Sequence, residues 1–157
     1  MNQKPTGRHW LIKSEEAEYS IANLKRDGKT TWTGVRNYEA RNFMRDSMQP
    51  GDLAFFYHSN AKPSGIAGLA RIVRTGIPDP TQFNKKSDFY DPSSSKADPR
   101  WLTIEVEFVE RFKAVLPLET LKADRTLASM VLLQKGSRLS VQPVADDPFA
   151  HILKLAR

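Results

Sequence analysis

Hydrophobic positions recur along the chain with two periods. From Leu53 onward, Leu53, Phe55, Tyr57 and Ser59 share one face, while Ala54, Phe56 and His58 share the other, the alternation of a strand. His9–Lys13 is a shorter strand, and Ile66–Arg74 returns after a turn at Asn60–Gly65. Gly68 within that return allows close approach of a backbone or ligand. Trp101–Phe112 is a long strand, with Leu102, Ile104, Val106 and Phe108 on the core face. Trp101, Thr103, Glu105 and Glu107 take its other face, so Trp101 sits off the core stripe at the strand's mouth. Arg138–Gln142 is the last strand.

Helical spacing fills the gaps. Ser20 caps Ile21–Asp27, with Tyr19 and Leu24 placed for a hydrophobic staple and Gly28 where a terminal Gly belongs. Asn37 caps a second helix, with Glu39 in the first turn, where the dipole favours an anion. Ala40, Phe43, Met44 and Met48 form its buried stripe, and Pro50-Gly51-Asp52 stops it. Further helices are expected at Leu118–Lys122, at Thr126–Gln134, and after Asp147-Pro148, where Phe149, Ile152 and Leu153 face inward. Residues 1–8 read as a loose, flexible tail. The region 75–100 has no period, is rich in Pro, Ser, Asp and Lys, and carries Phe83, Phe89 and Tyr90; a loop this long in a compact domain is functional or disordered. The elements imply an α+β class: a mixed β-barrel of about five to six strands surrounded by short helices, in one domain spanning 1–157.

Composition narrows the partners. The 157 residues carry a net charge of +6 and contain no cysteine. Disulfides, thiolate metal sites and a Cys nucleophile are thereby excluded. The basic balance fits a polyanion such as nucleic acid. No apolar leader and no membrane-length run is visible, so a soluble cytoplasmic monomer with no membrane partner is expected.

Catalytic constellations are scarce. His58 and Ser59 point to opposite faces of their strand, and the three histidines are far apart with no metal-ligand pair. Gly65-Ile66-Ala67-Gly68 lacks the Gly-Lys of a phosphate loop. A non-enzymatic role without cofactor or metal follows. What remains is recognition. Around Trp32-Thr33-Gly34-Val35, the residues Arg36, Asn37, Tyr38, Arg41, Asn42 and Arg45 offer stacking area, fork-shaped donors and amides. Tyr57 with Ser59 and Asn60, and Tyr90 with Arg100 and Trp101, bring aromatics and hydrogen-bonding groups to other strand ends. An RNA-binding module without modification specificity, a nucleotide-processing enzyme and a protein adaptor are the rival readings.

Several motifs occur in order: His9-Trp10-Leu11-Ile12-Lys13-Ser14-Glu15, Trp32 to Arg45, Phe56-Tyr57-His58-Ser59-Asn60, Gly65-Ile66-Ala67-Gly68, Tyr90-Asp91-Pro92, Pro99-Arg100-Trp101 and Gly136-Ser137-Arg138-Leu139-Ser140-Val141. Together they resemble the EVE domain, a PUA-like family related to YTH and ASCH domains. The resemblance implies a PUA-like barrel that reads a modified base, with modified cytosine in DNA the favoured ligand. It implies a base pocket of Trp32, Tyr57, Ser59, Asn60, Tyr90 and Trp101. Lys13, Ser14, Arg36, Asn37, Tyr38, Arg41, Asn42, Arg45 and Arg100 would form the nucleic-acid rim. Lys13-Ser14 is similar to the first strand of YTH domains, and Trp32 stands where a cage tryptophan stands there. In the long loop this chain has Phe89 and Tyr90 in place of the second cage tryptophan.

Overall fold

Six strands form one mixed sheet in the computed structural model, which describes residues 9–157. The expected tail at 1–8 lies outside the described residues. The order of elements is β1 (His9–Glu15), α1 (Ile21–Asp27), β2 (Lys29–Thr31), α2 (Tyr38–Asn42), β3 (Leu53–Ser59), β4 (Gly65–Pro78), β5 (Leu102–Pro117), α3 (Leu118–Ala123), β6 (Val141–Pro143) and α4 (Asp146–Ala156). The strands lie in the order β2-β5-β4-β3-β1-β6. Their hydrogen bonds leave β2 and β6 as the two edges, so the sheet is not closed into the expected barrel by its ladders. β1 and β3 run parallel, in register from His9–Leu53 to Glu15–Ser59, while the other pairings are antiparallel.

Alternation in β3 sorts the core. Ala54 and Phe56 join Trp10, Ile12, Ile104 and Val106 in one buried cluster. Phe55 and Tyr57 join Leu11, Phe112, Leu121 and Phe149 in a second. Both faces of the central strands are therefore covered, and β3 reads as a nearly unbroken apolar run for that reason. Trp10 is fully in the core and donates its Nε1–H to Asp52 at 3.0 Å.

Local signals act where expected. Ser20 and Asn23 form a reciprocal capping box at α1, and the Gly28 N–H closes its far end on the Leu24 carbonyl. The Asn37 side chain accepts from the Ala40 N–H and starts α2. That helix then widens into a π-helical turn, Phe43–Ser47, which carries Met44 into the core. Thr126–Gln134 is not one helix but two separate 3₁₀ turns, Arg125–Leu127 and Val131–Leu133. Asp124 captures the Thr126 N–H and hydroxyl, closing a tight turn, and Met130 is extended. The expected strand at Arg138–Gln142 is shorter and later, Val141–Pro143. β2 was not foreseen; three residues are too few to show a period.

His58 links β3 to α1. It is buried, and its Nε2 accepts the Ile21 N–H at 3.1 Å, so the ring is held neutral with the proton on Nδ1. Burial pushes its pKa below the usual 6.5; Glu16, 3.7 Å away, opposes the shift and Arg111 adds to it. A lowered folded pKa means that the unfolded chain takes up the proton first. Stability should be full above pH 6.5 and fall as pH drops below it towards the folded value. Urea midpoints from pH 7.5 to 5.5 should decline in the wild type and be flatter in His58→Gln, which keeps an acceptor. Parallel profiles would refute this assignment.

Candidate nucleic-acid interface

A cleft of about 650 Å³ opens at the carboxyl ends of the parallel pair β1 and β3. β1 contributes Lys13, Ser14 and Glu15, and β3 contributes Ser59. The turn after β2 contributes Trp32 through Arg36. Phe89 comes from the long loop, and Arg138 and Ser140 from the segment before β6.

Trp32 both lines this cleft and belongs to the core. It is 7% exposed and meets the edge of Phe56 at 5.5 Å between ring centroids. Its backbone is anchored by a bond from its N–H to the Ile104 carbonyl and by the Thr103 hydroxyl, which donates to its carbonyl. The indole Nε1–H has no acceptor among the described residues. Gly34 follows at φ +87°, and a Cβ there would stand 2.7 Å from the Phe89 ring. Glycine at that position lets Phe89 close one side of the cleft.

Arg36 holds that side in place. Its Nε and Nη2 both donate to the Phe89 carbonyl, at 3.1 and 2.7 Å. Nη1 donates to the Val35 carbonyl and to Asp79, and Nη2 also reaches the Thr81 hydroxyl. All five guanidinium N–H groups are thereby used. Its plane also lies 5.1 Å from the Trp101 ring centroid and 5.5 Å from that of Phe89. Asp79 is 1% exposed and accepts four bonds, from the Gly34 N–H, Arg36, the Thr81 N–H and the Thr81 hydroxyl.

The long loop is pinned as well. Gln82, fully buried, donates to the Asp79 and Trp101 carbonyls and accepts from the Ser94 hydroxyl and the Trp101 N–H. Trp101 is buried, with its Nε1–H on Asp91 at 2.8 Å, and Tyr38 stacks on it at 4.9 Å. Arg41 lies 4.7 Å over Tyr38, donates to the Arg100 carbonyl and reaches Asn42. Burial, with Arg45 and Arg100 nearby, pulls the Arg41 pKa down.

The expected site residues thus divide into groups. Trp32, Ser59, Lys13, Ser14 and Arg36 meet in the cleft. Asn60 stands beside it and donates to Glu15. Tyr57 does not join them: it is buried in the second cluster, across the sheet from Trp32, because its β3 position faces Leu11 and Phe112. Tyr90 yields the cleft wall to Phe89, one residue earlier. Trp101 lies beneath Tyr38, away from the cleft lining. Asn37 is spent as a helix cap. Tyr38, Arg41, Asn42, Arg45 and Arg100 form an outer surface; Tyr38 is 51% exposed, Arg45 pairs with Asp46, and Arg100 with Asp91. Asp79, Gln82, Arg138, Ser140, Glu15 and Glu18 escaped the site assignment. Of these, Asp79 carried a readable signal, the Asp-Pro start of a turn.

Among the described residues, no group of three or more His, Asp or Glu side chains could hold a metal ion, and no helix is long and apolar enough to cross a membrane.

The EVE domain family matches residues 8–155. Human thymocyte nuclear protein 1 is 43% identical, over 97% of this chain and 75% of its own. A crystal structure of a Pseudomonas syringae protein is 47% identical with a TM-score of 0.91, covering 95% of this chain and 99% of that one. A structure of the human protein in complex with 5-methylcytosine-containing DNA is 43% identical with a TM-score of 0.88, covering 95% and 97%.

The geometry makes Arg36 the strut of the Phe89 wall. Arg36→Lys keeps the charge but offers only three donors from a single point. It should cost about 1–3 kcal/mol of stability and expose the segment 84–96 to limited proteolysis. Unchanged urea midpoint and cleavage would show that the wall stands without the guanidinium fork.

Proposed function

This chain belongs to the EVE domain family, and on that premise we propose that it binds DNA and takes one modified cytosine into the cleft beside Trp32. The observation that carries the reading is the convergence, in one cleft, of the Trp32 indole, the Phe89 ring and polar side chains at the ends of two parallel strands. The human relative held with 5-methylcytosine-containing DNA supports the same ligand class.

The chemistry of the lining fits. Trp32 offers a ring edge and an N–H donor that has no acceptor among the described residues. Glu15 and Glu18 offer carboxylate acceptors, the groups that take the exocyclic amine of cytosine. Outside, Tyr38 and the guanidiniums of Arg41, Arg45 and Arg100 offer a face and charges to a strand. Arg36 has no donor left for a phosphate. The exposed Arg45–Asp46 pair exchanges partners at little cost.

Magnitudes set the division of labour. Burying one methyl contributes about 0.8 kcal/mol, roughly a fourfold preference. Stacking one base contributes about 1–3 kcal/mol, and extruding it from a duplex costs a few kcal/mol. Phosphate contacts therefore supply much of the affinity, and the cleft supplies the selection by shape. Binding should weaken log-linearly with salt, at about −0.9 per phosphate neutralised on duplex DNA and about −0.7 on a single strand. An affinity independent of salt would remove nucleic acid from the reading.

Trp32 is the decisive residue. Its burial against Phe56 means that Trp32→Ala should cost about 3–5 kcal/mol of stability, more than a pocket-only tryptophan would. Trp32→Phe keeps a ring in the core and is the cleaner variant. Titrated with matched modified and unmodified oligonucleotides, DNA and RNA, it should lose part of its affinity, less than the about 1–3 kcal/mol of a whole stacking contact, and part of its preference for the modified base, while the salt slope persists. A wild-type affinity ratio in a folded Trp32→Phe protein would overturn the pocket assignment.

A further inference from the structure

Tyr38 is the most exposed large ring among the described residues, and it is nonetheless held in place. It is 51% exposed, against 42% for Phe89, which walls the cleft. Its inner face stacks on Trp101, with ring centroids 4.9 Å apart and planes 19° from parallel. Trp101 is itself fixed. It is buried, its Nε1–H donates to Asp91, and Gln82 takes both its backbone N–H and its carbonyl. A loose surface tyrosine loses rotamer freedom when a ligand settles on it. A ring already stacked on a pinned indole loses little, so its outward face is prepared for a flat partner.

Arg41 flanks this stack and does not cap it. Its guanidinium carbon lies 4.7 Å from the Tyr38 centroid and 5.8 Å from that of Trp101. With the rings themselves 4.9 Å apart, the three points form a nearly equilateral triangle. The cation therefore stands at the side of both rings; on the outer face of Tyr38 it would be much farther from Trp101. The outer face is left to solvent, in keeping with its exposure. Arg41 donates to the Arg100 carbonyl and to the Asn42 amide oxygen, both neutral, so its charge is not cancelled. An open aromatic face beside such a cation supplies the two parts of a single-strand nucleic-acid site. The face is also tied to the cleft. The Arg36 guanidinium lies 5.1 Å from the Trp101 centroid and 5.5 Å from that of Phe89. One side chain thus touches both the ring beneath Tyr38 and the ring that walls the cleft, and it keeps the two faces at a fixed spacing.

We propose that Tyr38 is a second base site, outside the cleft: its outer face stacks the base of an unpaired nucleotide flanking the modified cytosine, and Arg41 beside it meets the strand's phosphates there. The inference rests on the proposed DNA reading and adds to it a form of substrate, a single-stranded segment of more than one nucleotide. Within a duplex each base already stacks on its neighbours and has no free face to offer, so the platform favours unpaired flanks. A stacked ring reads no base edge, and every base has a face. The platform therefore contributes affinity and register, and leaves selection to the cleft.

The test uses single-stranded DNA oligonucleotides with one 5-methylcytosine and an abasic residue placed in turn at each flanking position, titrated by fluorescence anisotropy. One flanking position should be sensitive. Removing its base should weaken binding to the wild type at least about fivefold, the low end of one base–aromatic stack, whichever base stood there. The penalty should vanish in Tyr38→Leu, which keeps apolar cover on Trp101 without a ring, and persist in Tyr38→Phe. The salt slope should hold its wild-type value in both, since the substituted side chain meets no phosphate. Unfolding curves on the same samples keep loss of fold apart from loss of contact. A 5-iodouracil at the sensitive position should cross-link to Tyr38 on irradiation, a readout on the wild type that needs no variant. Abasic residues tolerated at every flanking position would overturn the platform. So would an undiminished penalty in folded Tyr38→Leu, or a cross-link to another residue. A Trp32-dependent preference for 5-methylcytosine alongside any of these would leave the cleft site standing alone. A Tyr38-dependent penalty without that preference would remove the cleft site instead, and no oligonucleotide binding at all would remove both.

Discussion

A buried carboxylate governs the geometry of the cleft. Asp79 sits 1% exposed and is satisfied from four directions. A charge so placed is tolerated only when fully paired and hydrogen-bonded. Its partners come from the turn after β2 and from the start of the long loop, segments some 45 residues apart. Satisfying one carboxylate thus brings two distant pieces of chain into one arrangement. Arg36 then extends the reach, passing from Asp79 to the Phe89 carbonyl. The side of the cleft is therefore held by charge and hydrogen bonds, while the Trp32 side is held by the core. Gln82 plays the matching part for the neutral groups, tying the loop's far end to Trp101.

The sheet explains why the cleft lies where it does. β1 and β3 are the parallel pair in an otherwise antiparallel ladder, and both leave the sheet at the same end. Chain must depart from both strands there, in different directions. The departing segments, the turn after β2 and the approach to β6 enclose space between them. Both faces of β3 being buried, a strand end is where its polar residues reach solvent. Ser59 is at that end and lines the cleft, whereas Tyr57, two residues earlier on the same face, is sealed in the core.

That contrast marks the limit of what sequence shows. Local physics was legible: the Ser20 capping box, the Asn37 cap, the Gly28 terminus and the alternation of β3 all depend on residues within a few positions of each other. The position of Trp32 in the cleft was legible through motif resemblance. The role of Arg36 was not. An arginine at the start of an amphipathic helix looks the same whether it faces phosphate or a buried carboxylate, and its partners lie 43 to 53 residues on. Tyr90 and Phe89 are likewise adjacent in a segment without period, and only the Arg36 bond to the Phe89 carbonyl and the bare Gly34 backbone select which ring closes the wall. Open closure of the sheet was illegible because ladder order, not strand count, decides it.

Three arginines of one motif, Arg36, Arg41 and Arg45, end in three electrostatic states. Arg36 has every donor used and can only build structure. Arg45 lies exposed beside Asp46, in a pair that solvent and salt weaken. Arg41 is intermediate: it covers Tyr38 and donates to a backbone carbonyl and an amide, all neutral partners, so its charge is not cancelled. Net charge alone does not rank them, since each counts equally toward +6. What ranks them is the cost of separating each from its present partner. That cost is highest for Arg36, whose release would strand the buried Asp79. It is low for Arg45, whose carboxylate partner is exposed beside it. A polyanion drawn to this surface would therefore engage Arg45 and Arg41 ahead of Arg36, without disturbing the pair that shapes the cleft.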